Sequence, residues 1–261
     1  MAKSKEQNFE LKGLPKRTAK PRNSGLTMVM DKGLSTPEVN NFLDIAAPYT
    51  DIVKLGFGTA YVTLNLKEKL DAYKKHHIPI YFGGTMFEAF IARNQFNDYI
   101  KVLEKYELEY VEVSDGSLEI PHGKKMKYID TLAKKGFKVL SEVGSKDAEK
   151  IIPPYQWIEL METELNAGAW KVIAEAREAG NVGIYRGSGE VREGLVQEIL
   201  TKVKKEKIIW EAPQKAQQTW FIKLIGANVN LGNIAPNELI AVETLRLGLR
   251  SDTFHHFLKN E

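Results

Sequence analysis

Eight short apolar runs alternate with longer stretches whose apolar residues recur every three or four positions, and no other feature of this chain limits its fold so strongly. The runs are LTMVMD (26–31), DIVKLGFG (51–58), IPIYFGG (78–84), YVEVSDG (110–116), KVLSEVG (138–144), AWKVIAEA (169–176), KIIWEAP (207–213) and ANVNLGN (227–233). Between them, TPEVNNFLDIAAPY, LNLKEKLDAYKKHH, TMFEAFIARNQFNDYIKVLEKYE and APNELIAVETLRLGL carry the spacing of amphipathic helices. A strand followed by a helix, eight times over, is the pattern of a single (β/α)8 TIM barrel, which commonly takes about 250 residues. The chain has 261 residues, 43% of them hydrophobic, enough for one large core.

A doubly wound sheet also alternates strand and helix, but its phosphate fingerprints are missing: no strand is followed by G-x-G-x-x-G, and no G-x-x-x-x-G-K-[ST] occurs. YRGSGEVREG has glycines at other spacings and reads as a surface turn before a helix starting near Glu190. Residues 1–24 are basic, polar and hold Pro15 and Pro21, so they are expected to form an arm, either lying on the body or loose, with the barrel catalytic domain spanning 25–261.

The net charge of +3 is small for this length and concentrated in that arm, which argues against a nucleic-acid or membrane partner. There is no cysteine, so disulfides, thiolate metal sites and a cysteine nucleophile are excluded. No apolar leader opens the chain and no run reaches the roughly 18 residues of a membrane span, so the cytoplasm is the expected location.

In such barrels the reacting groups stand where strands end. That layer holds Asp31 and Lys32, Lys54, Gly83 to Thr85, Glu112 and Asp115, Glu142 and Lys146, Glu175 and Arg177, Glu211, and Asn230 with Asn233. A single acid there can simply cap the next helix, but six acids and several cations on one rim imply a site for a charged ligand. Lys54 lies between apolar neighbours, so its ammonium needs an anion: an internal pair with Asp31 or Glu112, or substrate itself. Carboxylates without cysteine or histidine favour a hard cation such as Mg2+. The five histidines, two adjacent pairs and His122, form no metal motif and read as surface or helix-end groups. The helix expected over 86–106, with Met86, Phe87, Phe90 and Phe96, offers a face either for core packing or for a homo-oligomer.

With these pieces in order, the sequence resembles the phosphosulfolactate synthase family, in particular its bacterial-type members. The resemblance is carried by GLTMVMDKGL (25–34), DIVKLGFGTA (51–60), YFGGTMFE (81–88), VEVSDGS (111–117), LSEVGSK (140–146), VIAEAREAG (172–180), IIWEAPQKAQQ (208–218), VNLGNIAPNE (229–238) and ETLRLGLRSDTF (243–254). It implies a (β/α)8 lyase that uses Mg2+ to add sulfite to C3 of phosphoenolpyruvate, giving (2R)-phospho-3-sulfolactate. Lys146 matches the family's general acid at C2, and Glu142 becomes a metal ligand or the partner that orients Lys146. By charge and position, Asp115, Glu142 and Glu175 are the metal candidates, with Glu112 and Glu211 behind them. Arg177 is a clamp for carboxylate or sulfite, or else a structural pair for Glu175 or Glu142. Lys32 and Lys54 join it as substrate-binding cations, while Arg250 and the backbone near Gly232 and Asn233 are phosphate candidates. The chain departs from the pattern at Ser251, where glycine is expected. A plant branch includes a heat-tolerance protein, which leaves a non-enzymatic relative acting through protein contacts as the alternative. Another phosphoenolpyruvate or phosphosugar lyase on the same barrel is a third option.

Overall fold

The structure, a computed structural model, describes residues 8–145 and 152–258. Its elements run β1 (Thr27–Asp31), α1 (Thr36–Ala46), β2 (Ile52–Leu55), α2 (Thr59–Val62), α3 (Leu66–Lys75), β3 (Ile80–Phe82), α4 (Gly84–Ile91), α5 (Phe96–Lys105), β4 (Tyr110–Val113), α6 (His122–Lys134), β5 (Lys138–Val143), α7 (Pro154–Asn166), β6 (Lys171–Ala174), α8 (Glu193–Lys202), β7 (Ile208–Glu211), α9 (Lys215–Ile225), β8 (Leu231–Ile234), α10 (Leu239–Arg246) and α11 (Ser251–Phe257). Every ladder is parallel, in the order β3-β2-β1-β8-β7-β6-β5-β4. With β3 and β4 side by side at the two ends of that order, the sheet is a nearly closed (β/α)8 barrel. Each of the eight apolar runs contributes a strand.

Because side chains alternate across a strand, one parity of each run faces the barrel axis and the other faces the helices. The inner parity begins with a hydrocarbon and aromatic layer of Leu26, Met28, Ile52, Tyr81, Tyr110, Leu140, Ile173 and Ile209. The outer parity, with Val29, Val53, Val111, Val139, Val172 and Ile208, belongs to the larger core beneath the helices. Two residues further along, toward the strand ends, several inner positions turn charged: Ile52 is followed by Lys54, Tyr110 by Glu112, Leu140 by Glu142, Ile173 by Glu175 and Ile209 by Glu211.

Two expectations change. The single helix expected over 86–106 is two helices, α4 and α5, broken where Asn94 takes a left-handed φ of 57°. Asparagine tolerates that conformation and ends helices for the same reason. Met86 and Phe87 are buried, and Phe90 and Phe96 pack against the core, Phe96 lying 4.5 Å from the Tyr128 ring. That face is therefore core. The helix expected from Glu190 starts at Glu193, because Tyr185 and Val191 first pair in an isolated antiparallel bridge.

The described part of the arm is strapped across the N-terminal end of the barrel. Arg22 forks onto Asp51 with both contacts at 2.9 Å, and Arg17 reaches Glu243 at 2.8 Å and the Ala227 carbonyl at 2.9 Å. Beneath it the buried Arg246 donates to the carbonyls of Ala227, Val229 and Leu26. No helix among the described residues is long and apolar enough to cross a membrane.

Candidate active site

The charged inner layer opens into a cavity of about 890 Å³ at the C-terminal ends of the strands, lined among others by Lys54, Glu112, Glu142, Glu175, Arg177 and Asn233. Lys54 is its centre. Its ammonium lies 3.1 Å from Glu112, 3.3 Å from Glu211 and 3.8 Å from Glu142, and none of Lys54, Glu112, Glu142, Glu175 and Glu211 is more than 5% exposed. Burial pulls the Lys54 pKa down, but Glu112, Glu211, Tyr81 and Glu142 outweigh it and hold the group well above the usual lysine value. Of the two internal partners expected for Lys54, Glu112 is found and Asp31 is not.

Asp31 belongs to the other face of β1. Its carboxylate turns outward to Lys69 at 2.7 Å and the Tyr73 hydroxyl at 2.9 Å, and accepts the Gly33 and Leu34 amides. Sharing parity with Val29 rather than Met30, it caps a loop and anchors α3 outside the charged inner layer.

Backbone donors hold the remaining acids in place. Gly84 N–H donates to Glu112 at 2.6 Å, Ala176 N–H to Glu211 at 3.0 Å, and Arg177 N–H to Glu175. Two glycines make the crowding possible. A Cβ on Gly84 would stand 2.3 Å from Ser114 Cβ, and one on Gly144 would stand 2.6 Å from Glu175 Cβ and 2.8 Å from the Trp157 ring, at a φ of +136° that suits glycine.

Three non-glycine residues lining the mouth are left-handed: Phe57, Arg177 and Asn233, with φ of 55°, 57° and 55°. Backbone strain of this kind gathers at functional sites. Arg177 is exposed and its guanidinium forms no ion pair among the described residues, so its link to Glu175 runs through the backbone alone. Lys32 stands half-exposed outside the lining and pairs with Glu178, which does line the cavity, at 2.5 Å.

Other site residues named from the sequence fall elsewhere. Asp115 is in an adjoining recess of about 250 Å³, 2.9 Å from the buried Lys125, which also meets Glu164 at 2.9 Å and the Glu142 carbonyl at 2.6 Å. Burial raises the Asp115 pKa despite the opposing pull of Lys125. Gly232 is packed inside the barrel, where a Cβ would meet Met28 and Ile209, and Arg250 pairs with Asp252 at 3.5 Å outside the cavity lining. Lys146 lies outside the described residues. Among those residues no group of three or more His, Cys, Asp or Glu is gathered tightly enough to hold a metal ion.

Lys69, Glu88, Ser114, Lys125 and Glu164 were not singled out from the sequence. For three of them there was a signal, a charge in phase with an apolar helical stripe: Lys69 is four residues before Tyr73, Glu88 three before Ile91, and Lys125 four before Ile129, and each of those partners is buried.

Eight parallel strands with a ring of carboxylates around one lysine at their C-terminal ends define a (β/α)8 barrel of the enzyme class. Among solved structures, 3-hexulose-6-phosphate synthase from Salmonella typhimurium shares this fold at a TM-score of 0.56 and 15% identity, over 86% of this chain and 100% of that one. An oxaloacetate acetylhydrolase matches at 0.53 and 9%, over 86% and 80%. The model of the (2R)-phospho-3-sulfolactate synthase (ComA) family matches residues 15–252, and the chain belongs to that family. It is 43% identical over 244 residues to the phosphosulfolactate synthase of Bacillus subtilis, covering 92% of this chain and 96% of the relative. The enzymes of Methanothermobacter thermautotrophicus and Methanocaldococcus jannaschii are 41% and 42% identical, covering 92% and 88% of this chain and 95% and 94% of the relatives.

Proposed function

We propose that this chain is a phosphosulfolactate synthase that joins sulfite to C3 of phosphoenolpyruvate with the help of Mg2+, a carbon–sulfur lyase working in the direction of synthesis. One observation carries the reading: a single cavity in a member of this family holds Lys54, Glu112, Glu142, Glu175 and Glu211 over an apolar floor, with Arg177 at its rim. Both substrates are anions, yet the described lining sets five carboxylates, with Glu178 the fifth, against Lys54 and Arg177. A substrate anion enters such a ring only with positive charge beside it.

The donor set suits a hard cation, because the lining offers carboxylate and amide oxygens and no histidine. Glu142 and Glu175 would hold Mg2+, with water and substrate oxygens completing the shell, as this ion usually requires. When bound it supplies positive charge against the substrate carboxylate as charge builds there. Asp115 faces Lys125 in the adjoining recess and is assigned a part in holding the loop.

In the reaction the sulfur lone pair forms a bond to C3, the C2–C3 π pair moves onto the substrate carboxylate, and a proton delivered to C2 completes (2R)-phospho-3-sulfolactate. Arg177 and Lys32 are assigned to the anionic groups at the mouth, and Lys54 to the charge balance of the ring. The apolar layer keeps water from beneath the reacting carbons. Lys146 is assigned as the acid at C2 on the strength of the family resemblance.

The test is to incubate purified protein with phosphoenolpyruvate, sulfite and Mg2+ and to follow the sulfonate by mass spectrometry. Product from the wild type, abolished by chelation and lost in Lys146→Ala, is the expected result. Substrate binding without product would point to another nucleophile, and no binding would point to a non-enzymatic role.

A further inference from the structure

We propose that Glu88 is a positioning residue for Glu142 and acts through the Ser114 hydroxyl. The inference rests on the assignment of Glu142 to the reacting site and adds two residues to it.

Glu88 comes from α4, is 3% exposed and does not line the cavity, so it touches no ligand there. An acid buried this deeply must be met by donors. One of its oxygens accepts the Ser117 and Leu118 amides at 2.7 and 2.5 Å, and the other accepts the Ser114 hydroxyl. The Ser114 oxygen lies in turn 2.9 Å from Glu142 Oε1, so its one proton stands between two carboxyl groups, and a hydrogen bond at both ends needs a second proton carried by one of them. Ser114 follows directly on β4 and is fully buried, and Gly84, at the start of the same helix α4, is pressed against it.

The carboxylate of Glu88 therefore holds two things. It folds the loop 114–118, whose Gly116 and Ser117 form part of the cavity wall, and through one hydroxyl it fixes the rotamer of Glu142. An acid present only to fold the loop would need the two amides and nothing more. The continuation through Ser114 to a carboxylate of the reacting ring sets Glu88 apart from such an acid.

Two variants of the full chain separate these jobs. Ser114→Ala removes the bridge and leaves the amide contacts, whereas Glu88→Ala removes the acid and leaves the serine. In the phosphoenolpyruvate, sulfite and Mg2+ assay, each should lower kcat by about 10- to 100-fold, as loss of an orienting partner does. KM for phosphoenolpyruvate should stay within about twofold, since the interaction orients a group and does not bind substrate. The double variant should lose no more than Glu88→Ala alone, because the two act in series. Crystal structures of wild type and Ser114→Ala supply a readout independent of turnover, in which the Glu142 carboxylate should leave its wild-type rotamer. A wild type without activity would overturn the proposed reaction and leave the rotamer to decide the positioning role. An unchanged Glu142 rotamer, undiminished kcat in Ser114→Ala, or losses that multiply in the double variant would each overturn it. If Glu88→Ala fails to fold, Glu88→Gln replaces it: its carboxamide can donate to Ser114 and turn the hydroxyl to Glu142, and a displaced Glu142 rotamer in that variant would overturn the proposal.

Discussion

At the scale of the residue, Lys54 is the charge on which the ring depends. Three carboxylates lie within 3.8 Å of its ammonium. Replacing it by methionine keeps the length of the side chain and leaves those acids without their central cation, a change that typically costs about 3–5 kcal/mol. The pH dependence has a definite sign. In Lys54→Met the buried glutamates lose the cation that favours their charged form, so protonating them is easier in the folded state than in wild type. A carboxyl group shifted up in the folded state adds stability at low pH that is lost as pH rises through its folded pKa. Urea unfolding of Lys54→Met should therefore show a smaller deficit against wild type at pH 5 than at pH 7. A deficit that is equal at both would mean that the acids are balanced by other cations.

At the scale of the element, the end of β5 shows how closely a strand and its neighbours are fitted. Gly144→Ala would combine an unfavourable φ, about 1–3 kcal/mol, with a Cβ forced into Glu175 and Trp157, about 1–3 kcal/mol more. The expected outcome is a lowered melting temperature and a lowered kcat, because Glu175 must move. Gly123→Ala serves as the control: it lies in α6, a Cβ there meets nothing within 4 Å, and the change should stabilise by about 0.5–1 kcal/mol. All eight strands were legible in the sequence as apolar runs, and so were Lys54, Glu112, Glu142, Glu175 and Glu211 as charges at their ends. The facing of β1 was not. In a parallel strand covered on both sides both parities are apolar, so nothing local distinguished Asp31 on the outer face from a residue on the inner one. The partners supplied by helices, Glu88 and Lys125 above all, depend on how α4 and α6 dock onto the barrel, and the sequence carries only the phase of the charge within the stripe. The break at Asn94 was hidden because apolar residues continue on both sides of it.

At the scale of the whole molecule, the two ends of the barrel have separate tasks. The mouth carries the charged ring and the cavity, and the base is closed by the arm, whose Arg22–Asp51 and Arg17–Glu243 pairs are largely buried. Burial, helped by the nearby Arg17, lowers the Arg246 pKa to about 9 even though Glu243 pulls the other way. Deleting residues 1–24 would leave Asp51 and Glu243 without these partners. The expected cost is about 3–5 kcal/mol for the loss of a buried pair, read as a lower urea midpoint. Since the base is remote from the cavity, kcat per folded molecule should not change. A truncated protein of full stability, or one that is stable but inactive, would contradict this division.

The apolar floor of Met28, Ile52, Tyr81, Tyr110, Leu140, Ile173 and Ile209 also acts as an insulator. Hydrocarbon polarises poorly, and with the base strapped shut the charges of the ring have little water beneath them to absorb their field. The field lines leave by the open end, so the barrel works as a lens facing outward. Salt blunts it beyond roughly 8 Å, but an ion already at the mouth feels every charge in the ring.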